Sequence, residues 1–466
     1  MAPAPKSHVF PEAARIACRD HLSVPAMTGG RPRRLKTLVG AANVVAASND
    51  GDPTIGVKRA VELARKAEAE TITGLFTADL LQIDPAGLAG TAGAQEPLIA
   101  LAALSQATSR IGLVATVSTS FHHPYNLARQ IGTLDHVSGG RAAWNAVTSS
   151  VGEENFGQAL PGPEARYARA AEFIAVVNAL FDANEQDAAH RKGSGAIAVD
   201  PAKFHRIDHR GEHFAVAGPL NIPPLPQGRP VLFQAGQSEA GVSVGARYAE
   251  IVYTAQPTLE GAVAFATELR RRATAYGRGE ALPRVMNSFH AVIGESEADV
   301  ARRLREKHAR IDYEQGRLKL ADMLGGQVDL AGLPLDAPLP AALLPEVESI
   351  NRRRGRVEIF RRYARQGLTL RALIIEAQET GHWSVAGTPE QLADAIEERF
   401  RAGAVDVLTL HGLGNPDQED LLLNGLLPEL RRRALIDTDY IGDDFRSNLE
   451  LPPLPEPATR PRARLA

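Results

Sequence analysis

From Leu35 almost to the C-terminus, short apolar runs alternate with amphipathic stretches, and this alternation restricts the chain to repeated β-α units around a parallel sheet. Leu38 to Ala46 reads as a strand, and the spacing of Val57, Ala60, Val61, Ala64 and Ala67 predicts a helix over 55–69. The pattern then repeats, with strands expected over 71–78, 111–117, 142–148, 231–235, 250–254, 284–293 and 405–410. Helices are expected over 97–107, 125–137, 167–181, 239–246, 259–276, 296–310, 388–402 and 419–433. Eight strands with helical crossovers close most economically as an α/β fold of the (β/α)8 barrel type, in which chemistry sits at the strand C-terminal ends. Two stretches break the rhythm. Residues 184–229, rich in Gly, Pro, His and Asp, are too long for a plain connector and read as an excursion over the barrel mouth. Residues 294–385 read as a large insertion after the seventh strand. The expected organisation is an N-terminal arm over 1–34, a barrel over 35–450 carrying excursion and insertion, and a C-terminal tail over 451–466.

A chain of 466 residues with 44% hydrophobic residues, 23% charged residues and a net charge of −3 suggests neither a nucleic-acid partner nor an anionic membrane. Cys18 is the single cysteine, so no internal disulfide or cysteine-based metal cluster forms. With no apolar run of membrane-spanning length and no signal-peptide core near Met1, a cytoplasmic protein is expected.

Chemistry-bearing residues fall where predicted strands end. Asp79 follows the second strand directly, at the expected catalytic rim, where it serves a site or caps the next segment. Thr116 and Ser118 end the third strand, and only one of them is expected to face into the mouth. Asn145 lies beside Trp144 in an otherwise apolar strand. An unpaired buried amide costs about 1–3 kcal/mol, so Asn145 is satisfied within the barrel or meets a ligand, and its donor and acceptor suit the edge of a pyrimidine ring. Gly236-Gln-Ser238 follows the fifth strand and opens a helix, a natural phosphate cradle, although serine at a helix start is also a common structural cap. His122 and His123 precede Pro124. Adjacent histidines make a poor metal pair, so no metal is expected, and one of them is the candidate to line a substrate pocket. His205, His209 and His213 read as an exposed hairpin loop, and Arg352-Arg-Arg354 as a solvated face. No G-x-G-x-x-G after a strand, P-loop, G-x-S-x-G elbow or zinc signature occurs, so reducing power must come from outside the chain.

The stretches Leu134-Asp-His-Val-Ser-Gly-Gly-Arg-Ala-Ala-Trp-Asn-Ala-Val-Thr148, Asn155-Phe-Gly157, Ala165-Arg-Tyr167, Asp208-His-Arg-Gly211, Gly218-Pro-Leu220, Val231 to Ser238 and Gly387-Thr-Pro-Glu-Gln391 carry a resemblance. Over about Leu35 to Leu451 the chain resembles the flavin-dependent monooxygenases of the bacterial luciferase-like superfamily. Within it, the similarity is to the branch of nitrilotriacetate monooxygenase component A, dibenzothiophene-sulfone monooxygenase and the pristinamycin synthase large subunit. The resemblance implies a barrel that takes reduced FMN from a separate NAD(P)H:FMN reductase, reacts it with O2 to a flavin C4a-peroxide and oxygenates a small organic substrate. It further implies possible C–N or C–S cleavage and a homodimer or homotetramer. Asp79 and Thr116 then resemble flavin-ring contacts, Asn145 a pyrimidine-side contact, and Tyr167 with Ser238 phosphate contacts. Pro163 stands where the family commonly has a histidine, and the loop 46–53 lacks that family's usual tryptophan and histidine. A deazaflavin-dependent oxidoreductase on the same barrel and a non-catalytic flavin-binding barrel are the alternative readings.

Overall fold

The computed structural model describes residues 27–28, 31–40, 57–79, 81–82, 95–191, 197–350 and 354–454. Cys18, the loop 46–53, Arg352, Arg353, the outer part of the first predicted strand and most of both arms lie outside the described residues.

Eight parallel strands close on themselves. They are β1 (Lys36–Gly40), β2 (Gly74–Thr77), β3 (Gly112–Ser118), β4 (Ala142–Val147), β5 (Val231–Ala235), β6 (Ile251–Thr254), β7 (Arg284–Ile293) and β8 (Val407–Leu410). Each pairs with the next, and β8 returns to β1 through the register Val407 to Lys36 and Leu410 to Val39. The chain is therefore a (β/α)8 barrel, as its alternating pattern predicts. An additional strand, Trp383–Gly387, pairs with the outer half of β7 and rises above the barrel proper.

The helices that cover the sheet are α1 (Val57–Ala69), α2 (Pro97–Ser105), α3 (Pro124–Ser138), α4 (Pro163–Phe181), α5 (Glu239–Tyr248) and α6 (Leu259–Ala275). After β7 come α7 (Glu297–Ala309), α8 (Tyr313–Met323), α9 (Arg354–Arg365) and α10 (Leu370–Gln378), then α11 (Pro389–Arg401) and α12 (Leu427–Arg432). No helix among the described residues is long and apolar enough to cross a membrane. Helix α4 begins four residues before the predicted Tyr167, because Pro163 at its first position has its φ already set for a helix. The last predicted helix is divided, with a π-helical stretch Leu421–Leu426 ahead of α12.

Strand side chains alternate between two cores. Leu38, Val114, Ala143, Val231, Phe233, Ile251, Met286 and Val407 point into the barrel. Leu35, Leu75, Leu113, Trp144, Leu232 and Leu408 point outward against the helices. Burial on both faces is why the strands read as continuous apolar runs. The N-terminal end of the barrel is filled by a short helix, α13 (Phe445–Asn448), whose Phe445 ring stacks on Phe233 at 6.3 Å between centroids. Gly112 makes room for it, since a Cβ there would lie 2.1 Å from the Phe445 ring. Around this plug Asp406 meets Arg33 and Arg270, and Lys36 meets Glu450 at 3.0 Å.

The insertion after β7 packs a second core around Leu320, Phe360, Leu373 and Ile374. In the excursion, His209–Arg210 pairs with Ala215–Val216 as a hairpin. His205 lies at the surface beside Glu185, but His209 is buried, contrary to the exposed-loop expectation, because its Nε2 bonds Glu172 at 2.8 Å. Glu172 also accepts from the His213 and Phe214 amides, so helix α4 holds the hairpin down.

Candidate functional site

Two groups of polar side chains face each other across the C-terminal end of the barrel. The first comes from β3, β4 and the β5–α5 turn. Thr116 and Asn145 are paired in register on adjacent strands, and Asn145 Nδ2 donates to Thr116 Oγ1 at 3.1 Å. Both are buried, and Asn145 Oδ1 has no hydrogen-bond partner. Thr116 and Ser118 both point inward with Val114. The expectation that only one would do so fails because residues two apart on a strand share a face. Ser118 Oγ accepts from Ser149 at 2.7 Å.

At the β5–α5 turn, Ser238 caps α5 by accepting from the Gly241 amide at 3.2 Å. Tyr167, on α4, brings its hydroxyl over this turn: a Cβ at Gly236 would lie 2.7 Å from it, and one at Gly241 2.9 Å. Only glycines allow phenol, helix start and turn to converge so closely. The free amides of the first helical turn, two hydroxyls and the positive end of the helix dipole form an anion cradle. Pro163 sits one turn earlier on α4, after Gly162. These residues fit a flavin: the cradle offers donors to a phosphate, and the orphaned Asn145 Oδ1 offers a buried acceptor to a ring N–H at the mouth.

Asp79 stands half-buried two residues beyond β2. His122 places Nδ1 at 2.9 Å from the Ser118 carbonyl, so Nδ1 donates and Nε2 is left as an acceptor. His123 is exposed and accepts from the Tyr125 amide as the cap of α3, so the structure separates the two histidines by role. Arg354, expected on a solvated face, is partly buried and links the start of α9 to Glu164 at 3.2 Å.

The second group was not foreseen. Ser288 and His290 on β7, Tyr253 on β6, His411 just beyond β8, His382 just before the additional strand and Glu379 at the end of α10 converge on the opposite side of the mouth. Ser288 Oγ lies 2.7 Å from His411 Nε2 and 3.0 Å from His290 Nε2, and His290 Nδ1 lies 2.6 Å from Glu379 Oε2. Glu379 also pairs with Lys307 of α7. Burial alone would raise the Glu379 carboxyl, but the His290 hydrogen bond and the Lys307 charge bring it down to about 2. Burial pushes His411 down to about 3, with His290 adding to the effect. His382 lies well below the ordinary imidazole range through burial and the nearby Arg356, whose Nη2 is 3.2 Å from its Nε2. A cavity of about 610 Å³, lined among others by Lys307, His308, Lys319, Glu379 and His382, opens behind this group. The one sequence signal was the histidine placed directly after β8, since His382 and Glu379 come from an insertion whose path the sequence leaves open.

The luciferase-like monooxygenase family profile matches residues 37–406. N-acetyl-S-(2-succino)cysteine monooxygenase of Bacillus subtilis (strain 168) is 36% identical over 395 residues, spanning 84% of this chain and 89% of that protein. Nitrilotriacetate monooxygenase component A of Aminobacter aminovorans is 38% identical over 361 residues, spanning 76% of this chain and 79% of the other. Among solved structures, EDTA monooxygenase from Chelativorans sp. BNC1 superposes with a TM-score of 0.71 at 30% identity, covering 90% of this chain and 99% of that one.

Proposed function

This chain belongs to the luciferase-like monooxygenase family and is a flavin-dependent monooxygenase, and on that premise we propose that it is the oxygenase component of a two-component system using reduced FMN. The observation that carries the proposal is the convergence of the Tyr167 hydroxyl on Gly236, Gly241 and the capped start of α5. In this reading Tyr167, Ser238 and the α5 amides hold the FMN phosphate. Asn145 Oδ1 accepts from the pyrimidine edge while Thr116 keeps the amide oriented, and Asp79 contributes at the ring. Bound reduced FMN supplies the electrons that activate O2. Phe76, stacked on Tyr253 at 5.9 Å, and Phe233 beneath give the mouth an apolar floor that excludes water. His122, with Nε2 available as an acceptor, is the candidate of the histidine pair to meet substrate.

The substrate class we propose is a small organic molecule oxidised at a C–N or C–S bond, the bonds present in nitrilotriacetate and N-acetyl-S-(2-succino)cysteine. Lack of a dinucleotide fingerprint supports a separate NAD(P)H:FMN reductase as partner. The same reading treats 35–450 as one unit and assigns a cytoplasmic homodimer or homotetramer.

Mixing the protein anaerobically with FMNH2 and admitting O2 in a stopped-flow instrument tests the reading. A near-ultraviolet transient that outlasts the oxidation of free FMNH2 is expected. Reoxidation indistinguishable from free flavin would overturn it, and hydride transfer to a deazaflavin would favour the oxidoreductase alternative.

A further inference from the structure

The hydrogen-bonded line from His411 through Ser288 and His290 to Glu379 is separate from the residues proposed above to hold the flavin. Its polarity is fixed at one end. An ionised Glu379 only accepts, so His290 carries a proton on Nδ1 and turns Nε2 toward Ser288. The Ser288 hydroxyl owns one proton and has two imidazoles within bonding distance, so it donates to one ring and accepts from the other. Around His290, the His411 ring centroid lies at 4.2 Å and the His382 ring stacks at 5.3 Å. Lys307 stands behind Glu379, and Arg356 and Tyr253 stand behind His382. Lys319, His308 and Glu376 line the adjoining cavity.

We propose that Ser288, His290 and His411 carry protons between the barrel mouth and the cavity beside Lys307, with Glu379 as the positioning residue that fixes the His290 tautomer. The inference rests on the flavin oxygenase reading. Monooxygenation balances as FMNH2 + O2 + S → FMN + SO + H2O, so one oxygen atom enters the product and the other must collect two protons to leave as water. Solvent first protonates the Nδ1–H tautomer of His290 on Nε2. The resulting imidazolium passes that Nε2 proton to Ser288 Oγ as Ser288 passes its own to the unprotonated His411 Nε2, so one N–H and one O–H break while one O–H and one N–H form, and the positive charge moves from His290 to His411. His411 then gives up a proton on the mouth side, and His290, 23% exposed, regains one from solvent.

Two measurements on the full-length protein test this. In ligand-free, 15N-histidine-labelled protein, the His290 signals, identified by their loss in His290→Asn, should report a single Nδ1–H tautomer in the wild type and a tautomer mixture in Glu379→Gln. With FMNH2 bound, Ser288→Ala and His290→Asn should slow the solvent-isotope-sensitive phase of reoxidation by O2 about 100-fold. FMNH2 affinity should stay unchanged, and Ser288→Thr, which keeps the hydroxyl, should restore the rate. Wild-type rates and isotope effects in Ser288→Ala overturn the relay while leaving the flavin reading intact, and an unchanged tautomer in Glu379→Gln overturns the role of Glu379. Failure of the wild type to bind FMNH2 would overturn the oxygenase reading, and the relay with it.

Discussion

The two ends of the barrel are built on opposite terms. At the N-terminal end the chain fills its own interior: Phe445 stacks on Phe233, and Asp406 is buried among Arg33, Arg270 and Arg284. Burial alone would raise the Asp406 carboxyl, yet those three guanidinium groups hold it well below the usual carboxylate range. At the C-terminal end Asn145 Oδ1, Thr409 Oγ1 and His382 Nδ1 are buried without partners, and glycines hold open a cradle at α5. Unmet polar atoms in a packed protein cost stability. Buried atoms without partners occur at the plug as well, at Arg446 Nε and Asn448 Nδ2, so the contrast lies in what fills each end: an aromatic ring closes the plugged end, whereas at the mouth glycines keep a turn and a helix start open beside the Tyr167 hydroxyl.

Substitutions at the two ends should therefore separate stability from ligand affinity. The largest effect is expected for Phe445→Ala, which removes a buried ring from the plug and should lower unfolding free energy by about 3–5 kcal/mol, measured by denaturant unfolding. FMNH2 affinity of the folded fraction should not change; a large loss of affinity would show that the two ends are coupled.

Next comes a pH effect that contrasts with Asp406. Asp135, fully buried on α3, is pushed up from 3.8 to about 6 by burial, against hydrogen bonds from Gln227 and Ala142. A carboxyl with a raised folded-state pKa contributes stability that is present below its unfolded pKa and lost as pH rises through the folded value. The wild type minus Asp135→Asn difference in unfolding free energy should fall between about pH 4 and pH 6, by at most about 3 kcal/mol. A difference that rises with pH would show that Asp135 is held ionised by its three donors.

At the mouth, Asn145→Leu should weaken FMNH2 binding by about 1–3 kcal/mol, read by fluorescence titration, with little change in melting temperature. A variant that fails to fold would show that the amide serves the barrel and not a ligand. The smallest effects belong to the cradle: Tyr167→Phe and Ser238→Ala should each lower FMNH2 affinity by roughly tenfold while leaving turnover at saturating flavin nearly unchanged. Unchanged affinity in both would remove the phosphate from the β5–α5 turn.

How legible each feature is in the sequence follows from how local its cause is. Strands β5 and β7 begin and end where they are read in the sequence, because the Val, Leu, Phe and Ile residues that bury both faces of a parallel strand recur along each, even where Gln234, Asn287, Ser288 and His290 interrupt them. Gly236 and Ser238 are readable because a strand, a glycine turn and a capped helix lie within eight residues of chain. Tyr167 entered only through a resemblance, since nothing near it in sequence says that its hydroxyl reaches Gly236 and Gly241. His209 was misread as exposed because its partner, Glu172, is 37 positions away.

By itself, then, the sequence determined the periodic and the contiguous: a barrel of eight strands, and a glycine turn after the fifth that leads into a serine-capped helix. The tertiary structure alone decided the rest. Glu379 and His382 reach Ser288, His290 and His411 only because an insertion returns α10 and the additional strand to the mouth. Phe445 closes the barrel only because Gly112 leaves it space. Periodicity records which face of an element is buried, while contacts between distant elements depend on where loops carry them, and no local pattern encodes that path.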